Sequence, residues 1–218
     1  MNHEAVHLGM QRVGKVPEYW NVAKVDLSAA DSVLAGVIAR NEEPALSSKE
    51  DMFLTLVSSI VSQQISTAAA KTVWSRFEDL VGDVNPKTVL SHSPAEFRGC
   101  GLSGRKTEYI LGIAKAWQSE YADKDWDEMS DVEAKAALTG LRGVGDWTAE
   151  MILIFTLLRP DVFPVGDIGV VRAVERLYAE GGSLSTDELL AKSQDWRPWR
   201  TVATWYLWRS IDPEPVQY

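Results

Sequence analysis

The sequence predicts an all-α protein. Apolar residues recur at helical spacing, and Ser precedes two of these runs with Glu three places on. No stretch alternates apolar and polar residues as a half-buried strand would. A first amphipathic run extends from Ser28 to Arg40, and Asn41 to Leu46 reads as a loop. Ser47 and Glu50 have capping-box spacing for a helix carrying Met52, Phe53, Leu56, Val57, Ile60 and Val61. Ser66 is placed to cap the next helix, with Ala69, Val73, Trp74 and Phe77 on its apolar face. After a loop from Gly82 to Pro86, further helical runs occupy Gly104 to Trp117, Gly166 to Tyr178 and Thr186 to Lys192. Loops fall at Arg159 to Pro164 and Gly181 to Ser183. Asp195 and Pro198 look like the opening of a last helix, on which Trp199, Val202, Ala203, Tyr206 and Leu207 share a face.

Composition bounds the functional classes. With 218 residues, 45% hydrophobic and 24% charged, the chain is long enough for an ordinary core, and disorder is not expected. The longest apolar run, Met151 to Leu158, is far short of the roughly twenty residues of a membrane span, so no membrane association is expected. The first residues carry Glu4 and no apolar stretch of the secretory type. A single cysteine, Cys100, rules out an internal disulfide and is too few for a zinc or iron–sulfur site, which fits a reducing cytoplasm. The histidines His3, His7 and His92 lack metal-motif spacing.

Two stretches carry the chemistry. The first is Leu138-Thr139-Gly140-Leu141-Arg142-Gly143-Val144-Gly145-Asp146-Trp147-Thr148-Ala149. Its glycines permit a tight turn with positive φ and leave the backbone uncovered, while the helix restarting near Asp146 offers N–H groups and the positive end of its dipole. Turn and helix start together make a phosphate site from Gly143, Val144, Gly145, Trp147 and Thr148. Ser130 and Glu133 cap the helix entering the turn, giving helix, hairpin, helix. A bare Gly-x-Gly equally describes a plain loop between packed helices. The second stretch, Pro164-Val165-Gly166-Asp167-Ile168-Gly169, places an aspartate at a helix start, where it serves as an N-cap or as a reacting carboxylate.

These residues resemble the helix-hairpin-helix (HhH-GPD) superfamily of DNA glycosylases over about Asp51 to Arg209, with Asp167 where the superfamily keeps its catalytic aspartate and Arg172 recurring beyond it. Trp147 and the segment Trp196-Arg197-Pro198-Trp199-Arg200 are similar to the 3-methyladenine DNA glycosylase II (AlkA-like) branch. The resemblance implies two helical lobes with the active site in the cleft between them, one lobe over about 51–150 and the other formed by about 1–50 with 151–218. The β-rich N-terminal domain of the longer enzymes is not expected, leaving the segment around Tyr19 and Trp20 to help enclose substrate.

The implied activity is hydrolysis of the N-glycosidic bond of alkylated purines in double-stranded DNA, by a monomer, through base flipping. Trp147 occupies the position where strand-nicking relatives keep a Schiff-base lysine, so a monofunctional enzyme is implied. Trp147, Met151 and Trp199 are the implied walls of the base pocket, and Gln64 the wedge that fills the vacated place in the duplex. Carbonyls of Thr139, Leu141 and Val144 match groups that hold a structural Na⁺ or K⁺ in relatives; no other cofactor and no iron–sulfur cluster is implied. A relative acting on deaminated or etheno bases, or a non-catalytic module that binds damaged DNA, remains open at this point. The formal charge of −9 runs against a DNA partner. The expectation is therefore a polarised surface, with Arg98, Arg105 and Lys106 and again Arg197, Arg200 and Arg209 gathered toward DNA, and affinity that falls as salt rises.

Overall fold

A computed structural model describes residues 14–41, 43–49 and 51–212; His3, His7, Glu4 and Glu50 lie outside them. Among the described residues there are helices and no strand. In chain order they are α1 (Trp20–Ala30), α2 (Ser32–Arg40), α3 (Met52–Ser62), α4 (Thr67–Val81), α5 (Pro86–Leu90), α6 (Pro94–Gly99), α7 (Gly104–Ala116), α8 (Asp131–Thr139), α9 (Asp146–Phe155), α10 (Ile168–Tyr178), α11 (Thr186–Ser193) and α12 (Arg200–Ile211). A short π-helical turn, Trp117–Tyr121, continues α7, and a 3₁₀ turn, Gln194–Trp196, precedes α12. None of the helices is long and apolar enough to cross a membrane.

Local chemistry explains most boundaries. The Ser66 hydroxyl accepts from the Ala69 N–H, and Ser130 and Glu133 exchange the two hydrogen bonds of a capping box at α8. Three expectations are corrected. The run from Ser28 to Arg40 is two helices, because Asp31 breaks it by capping α2 through the Val33 and Leu34 N–H groups. Helix α3 is capped by Asp51, which accepts from the Leu54 N–H at 2.9 Å, in place of Ser47. The last helix starts at Arg200, with Asp195 in the 3₁₀ turn before it and Trp199 at its N-cap.

The apolar residues form two clusters. One runs from Met52 to Ile152 and centres on Leu56, Ile60, Phe77, Phe97, Ile110 and Leu138. The other joins Trp20 to Leu46 with Ala134 and with residues from Met151 to Trp208, around Trp196 and Tyr206. Helix α9 serves both: Ala149 and Ile152 enter the first, while Met151 and Leu153 to Phe155 enter the second. This shared helix fixes the hairpin at its N-terminus relative to everything that packs on its C-terminal half.

The second cluster contains a buried charge. Asp31 is 7% exposed, and its Oδ2 accepts from the Tyr178 hydroxyl at 2.8 Å and the Trp196 indole at 3.0 Å, with Lys192 Nζ at 3.2 Å. Burial by itself would raise the carboxyl, but the Leu34 N–H, Trp196, Tyr178 and Lys192 overturn it and hold the group at about 2, below its ordinary 3.8. A depressed folded-state value stabilises the fold above the unfolded value and is lost as pH falls through the folded one. Asp31→Ala, which leaves these donors without their acceptor, is expected to lower stability by about 3 kcal/mol at neutral pH. Urea melts should show this deficit shrinking as pH falls from about 4 toward 2, as the wild type loses the same contribution.

Candidate active site

The turn between α8 and α9 owes its shape to glycine. Gly143 has φ +96°, and a Cβ there would overlap the Tyr109 ring, so both backbone and space call for Gly. Gly145 is the N-cap of α9, makes no side-chain cap, and has open space where a Cβ would lie. The first turn of α9 is therefore reachable by an anion. Across the hairpin, Lys135 of α8 pairs with Glu150 of α9 at 2.8 Å and Asp146 at 3.4 Å. Burial raises the Glu150 carboxyl, with Lys135 opposing it.

Asp167 caps α10, its Oδ1 accepting from the Val170 N–H at 2.9 Å, so the structural role is met in full. The same carboxylate also lines a cavity of about 580 Å³ with Trp147, Gly166, Ile168, Gly169, Trp208, Ile211 and Asp212. The Trp208 indole donates to Oδ1 at 2.9 Å and the Trp147 indole donates to Oδ2 at 2.8 Å. Asp167 is 6% exposed, and the three groups that donate to it, the Val170 N–H and two indole N–H groups, are all neutral dipoles. Gly169 allows this approach, since a Cβ there would lie 3.0 Å from Oδ1 and 3.2 Å from the Trp208 ring. Among the described residues, two indoles, two carboxylates and no cationic side chain line the cavity. That chemistry suits a flat, positively charged ring.

The structure thus brings Trp147, Asp167 and the hairpin together and sets other expected residues apart. Trp199 is away from the cavity: its ring stacks on Tyr19 at 5.5 Å and its indole donates to Asp26 at 2.8 Å, joining the start of α12 to α1. Trp208, which the sequence did not single out, stands at the cavity instead, stacked on Phe155 at 5.7 Å. Met151 is 1% exposed and belongs to the core. Tyr19 and Trp20 are likewise used in packing, Tyr19 bonding the Leu158 carbonyl at 2.7 Å and Trp20 stacking on Tyr206. Thr148 is buried at 3% and Val144 at 6%, so neither side chain faces a ligand, and the Val144 N–H expected at the phosphate site is engaged within the turn. The Leu141 carbonyl accepts from the Val144 N–H at 3.0 Å.

Gln64 lies in the turn between α3 and α4, exposed, with φ +58°. Several basic residues are committed elsewhere. Arg200 grips Asp161 through two side-chain contacts at 2.6 and 3.0 Å, and Arg197 reaches Asp161 at 3.6 Å. Arg209 is 9% exposed and donates to the Glu43 carbonyl, and Lys106 donates to the Val61 carbonyl at 2.7 Å. Arg98 and Arg105 are exposed.

A family described as HhH-GPD superfamily base excision DNA repair protein matches residues 57–198, a span that contains both the hairpin and Asp167. The chain belongs to this superfamily. Among its relatives, a DNA-3-methyladenine glycosylase of Bacillus subtilis is 30% identical over 74% of this chain, and DNA-3-methyladenine glycosylase 1 of Schizosaccharomyces pombe is 30% identical over 74%. The match spans 57% of the first relative's length and 73% of the second's. Of solved structures, a DNA-3-methyladenine glycosidase from Bacillus halodurans superposes with a TM-score of 0.78 at 35% identity, covering 87% of this chain and 89% of that one. The S. pombe 3-methyladenine DNA glycosylase in complex with abasic DNA gives 0.75 at 28% identity, covering 90% and 100%. The HhH-GPD fold is thus shared along most of the chain.

Proposed function

We propose that this HhH-GPD protein is a cytoplasmic, monomeric and monofunctional DNA glycosylase that releases alkylated purines of the 3-methyladenine and 7-methylguanine type from double-stranded DNA. The observation that carries this is the Asp167 carboxylate, held between two indole N–H groups on the wall of a cavity that, among the described residues, has no cationic side chain. The two hydrophobic clusters support a catalytic unit of two lobes, about 51–150 and about 1–50 with 151–218.

The hairpin backbone grips a phosphate, the turn at Gln64 fills the space left in the duplex, and the everted base enters between Trp147 and Trp208. A methylated purine carries a positive charge, which the electron-rich indole faces and the anionic lining favour. The bond from C1′ to the base nitrogen then breaks, its electron pair leaving with the base and neutralising it. The sugar gains oxocarbenium character, and the Asp167 charge stabilises it. Three of the roughly four lone-pair positions of the carboxylate are taken by Val170, Trp208 and Trp147, leaving Oδ2 able to accept one more hydrogen bond. A water there adds its oxygen to C1′ and passes its proton to the carboxylate or to solvent. Among the described residues no lysine lines the cavity, and Trp147 stands in it beside Asp167, which supports release without strand cleavage. A Na⁺ or K⁺ suits the neutral carbonyls of Thr139, Leu141 and Val144 and would only brace the turn.

The test is a duplex oligonucleotide bearing one 7-methylguanine, incubated with and without the protein and analysed before and after alkali mild enough to leave the strand without protein unbroken. The expected product is an intact strand that breaks at the lesion only on alkaline treatment. A strand that survives alkali contradicts base release, and one that breaks without it contradicts the monofunctional assignment.

A further inference from the structure

The α3–α4 turn and the hairpin are tied by a contact between elements far apart in the chain. Gln63, the residue just before Gln64, donates from Nε2 to the Gly143 carbonyl at 3.1 Å, 80 positions away in the chain. The accepting oxygen belongs to the same peptide unit as the Val144 N–H, which donates to the Leu141 carbonyl at 3.0 Å. That peptide plane, which leads directly into the N-cap Gly145, is therefore pinned on both edges.

Helix α7 closes the circuit. Lys106, half-buried, donates from Nζ to the Val61 carbonyl at the end of α3 at 2.7 Å and so ties the start of α7 to that helix. Two and three residues on, Glu108 pairs with Arg142, and Tyr109 lies under the Arg142 guanidinium and against Gly143. The end of α3, the start of α7 and the hairpin thus form a closed ring of contacts. Gln63 is the member that joins the two ends directly.

We infer that Gln63 is a positioning residue that sets the α3–α4 turn in register with the phosphate grip, so that the strand is held and the base pushed out by one rigid edge. This rests on the DNA reading above, but it concerns eversion rather than bond cleavage. Eversion requires force against the opposite strand only where the base is stacked and paired. Loss of the Gln63 contact should therefore matter in paired DNA and not where the nucleotide is already unpaired.

The experiment follows eversion of 2-aminopurine by fluorescence, in a paired duplex and in an unpaired loop, so that it reads out whether or not any base is released. Gln63→Met keeps the length and removes the donor; Gln63→Glu sets a carboxylate oxygen against the Gly143 carbonyl. In the paired duplex, Gln63→Met should lower the eversion equilibrium about fivefold and Gln63→Glu more than tenfold. Both should match wild type in the loop, with thermal midpoints within about 2 °C of it. Wild-type eversion in both variants, equal losses in both DNA contexts, or no eversion by the wild-type protein would each overturn the inference. Eversion that responds as expected without base release would instead count against the proposed reaction and leave Gln63 its role.

Discussion

Asp167→Asn is expected to reduce base release by about a thousandfold while duplex binding is retained. Asparagine is nearly isosteric and is itself a favoured N-cap, so it still accepts the Val170 N–H and the Trp208 indole. Helix α10 and the cavity wall should survive. What disappears is the charge, and with it the electrostatic stabilisation of a developing sugar cation. The amide also sets an NH₂ group against the Trp147 indole, which is itself a donor, so one carefully placed dipole loses its acceptor. Single-turnover release and equilibrium binding, measured on the same duplex, check the prediction. A non-catalytic DNA-binding module would show no release even before substitution.

Gly143→Val should cost on the order of a hundredfold in kcat/KM on duplex substrate, mainly by loss of binding. A β-branched residue at φ +96° is strongly strained, and its Cβ would overlap the Tyr109 ring. The turn must move, and the N–H groups at the start of α9 move with it; displacement of a positioning element by about 1 Å is enough for such an effect. Gly145→Ala is the contrast, because its Cβ would meet nothing within 4 Å and its φ of −95° suits alanine. Salt-dependent binding and turnover of the two variants, side by side, separate backbone geometry from the mere presence of a methyl group.

The hairpin and Asp167 were legible because each is a local pattern: glycines where positive φ and close approach require them, and an N-cap after Pro164-Val165-Gly166. What escaped depended on tertiary contact. Trp199 and Trp208 sit in one aromatic-rich segment, and the sequence gives no direct sign that the first stacks on Tyr19 while the second reaches Asp167 across α10. The arginines behave similarly, for the Asp161 that engages Arg200 is 39 residues away. Helices α5 and α6 are a different case. Asn85-Pro86 and Ser93-Pro94-Ala95-Glu96 carry an N-cap followed by proline, but helices of five and six residues are too short to show an apolar period beside that start signal. The break at Asp31 was hidden by the continuous helical periodicity on either side of it.

The most direct measurement is mass spectrometry of the bases freed from methylated duplex DNA by the wild-type protein and by Asp167→Asn. The account predicts free 7-methylguanine and 3-methyladenine from the wild type and only traces from the variant. Equal yields from the two proteins, or no purine from either, would contradict it.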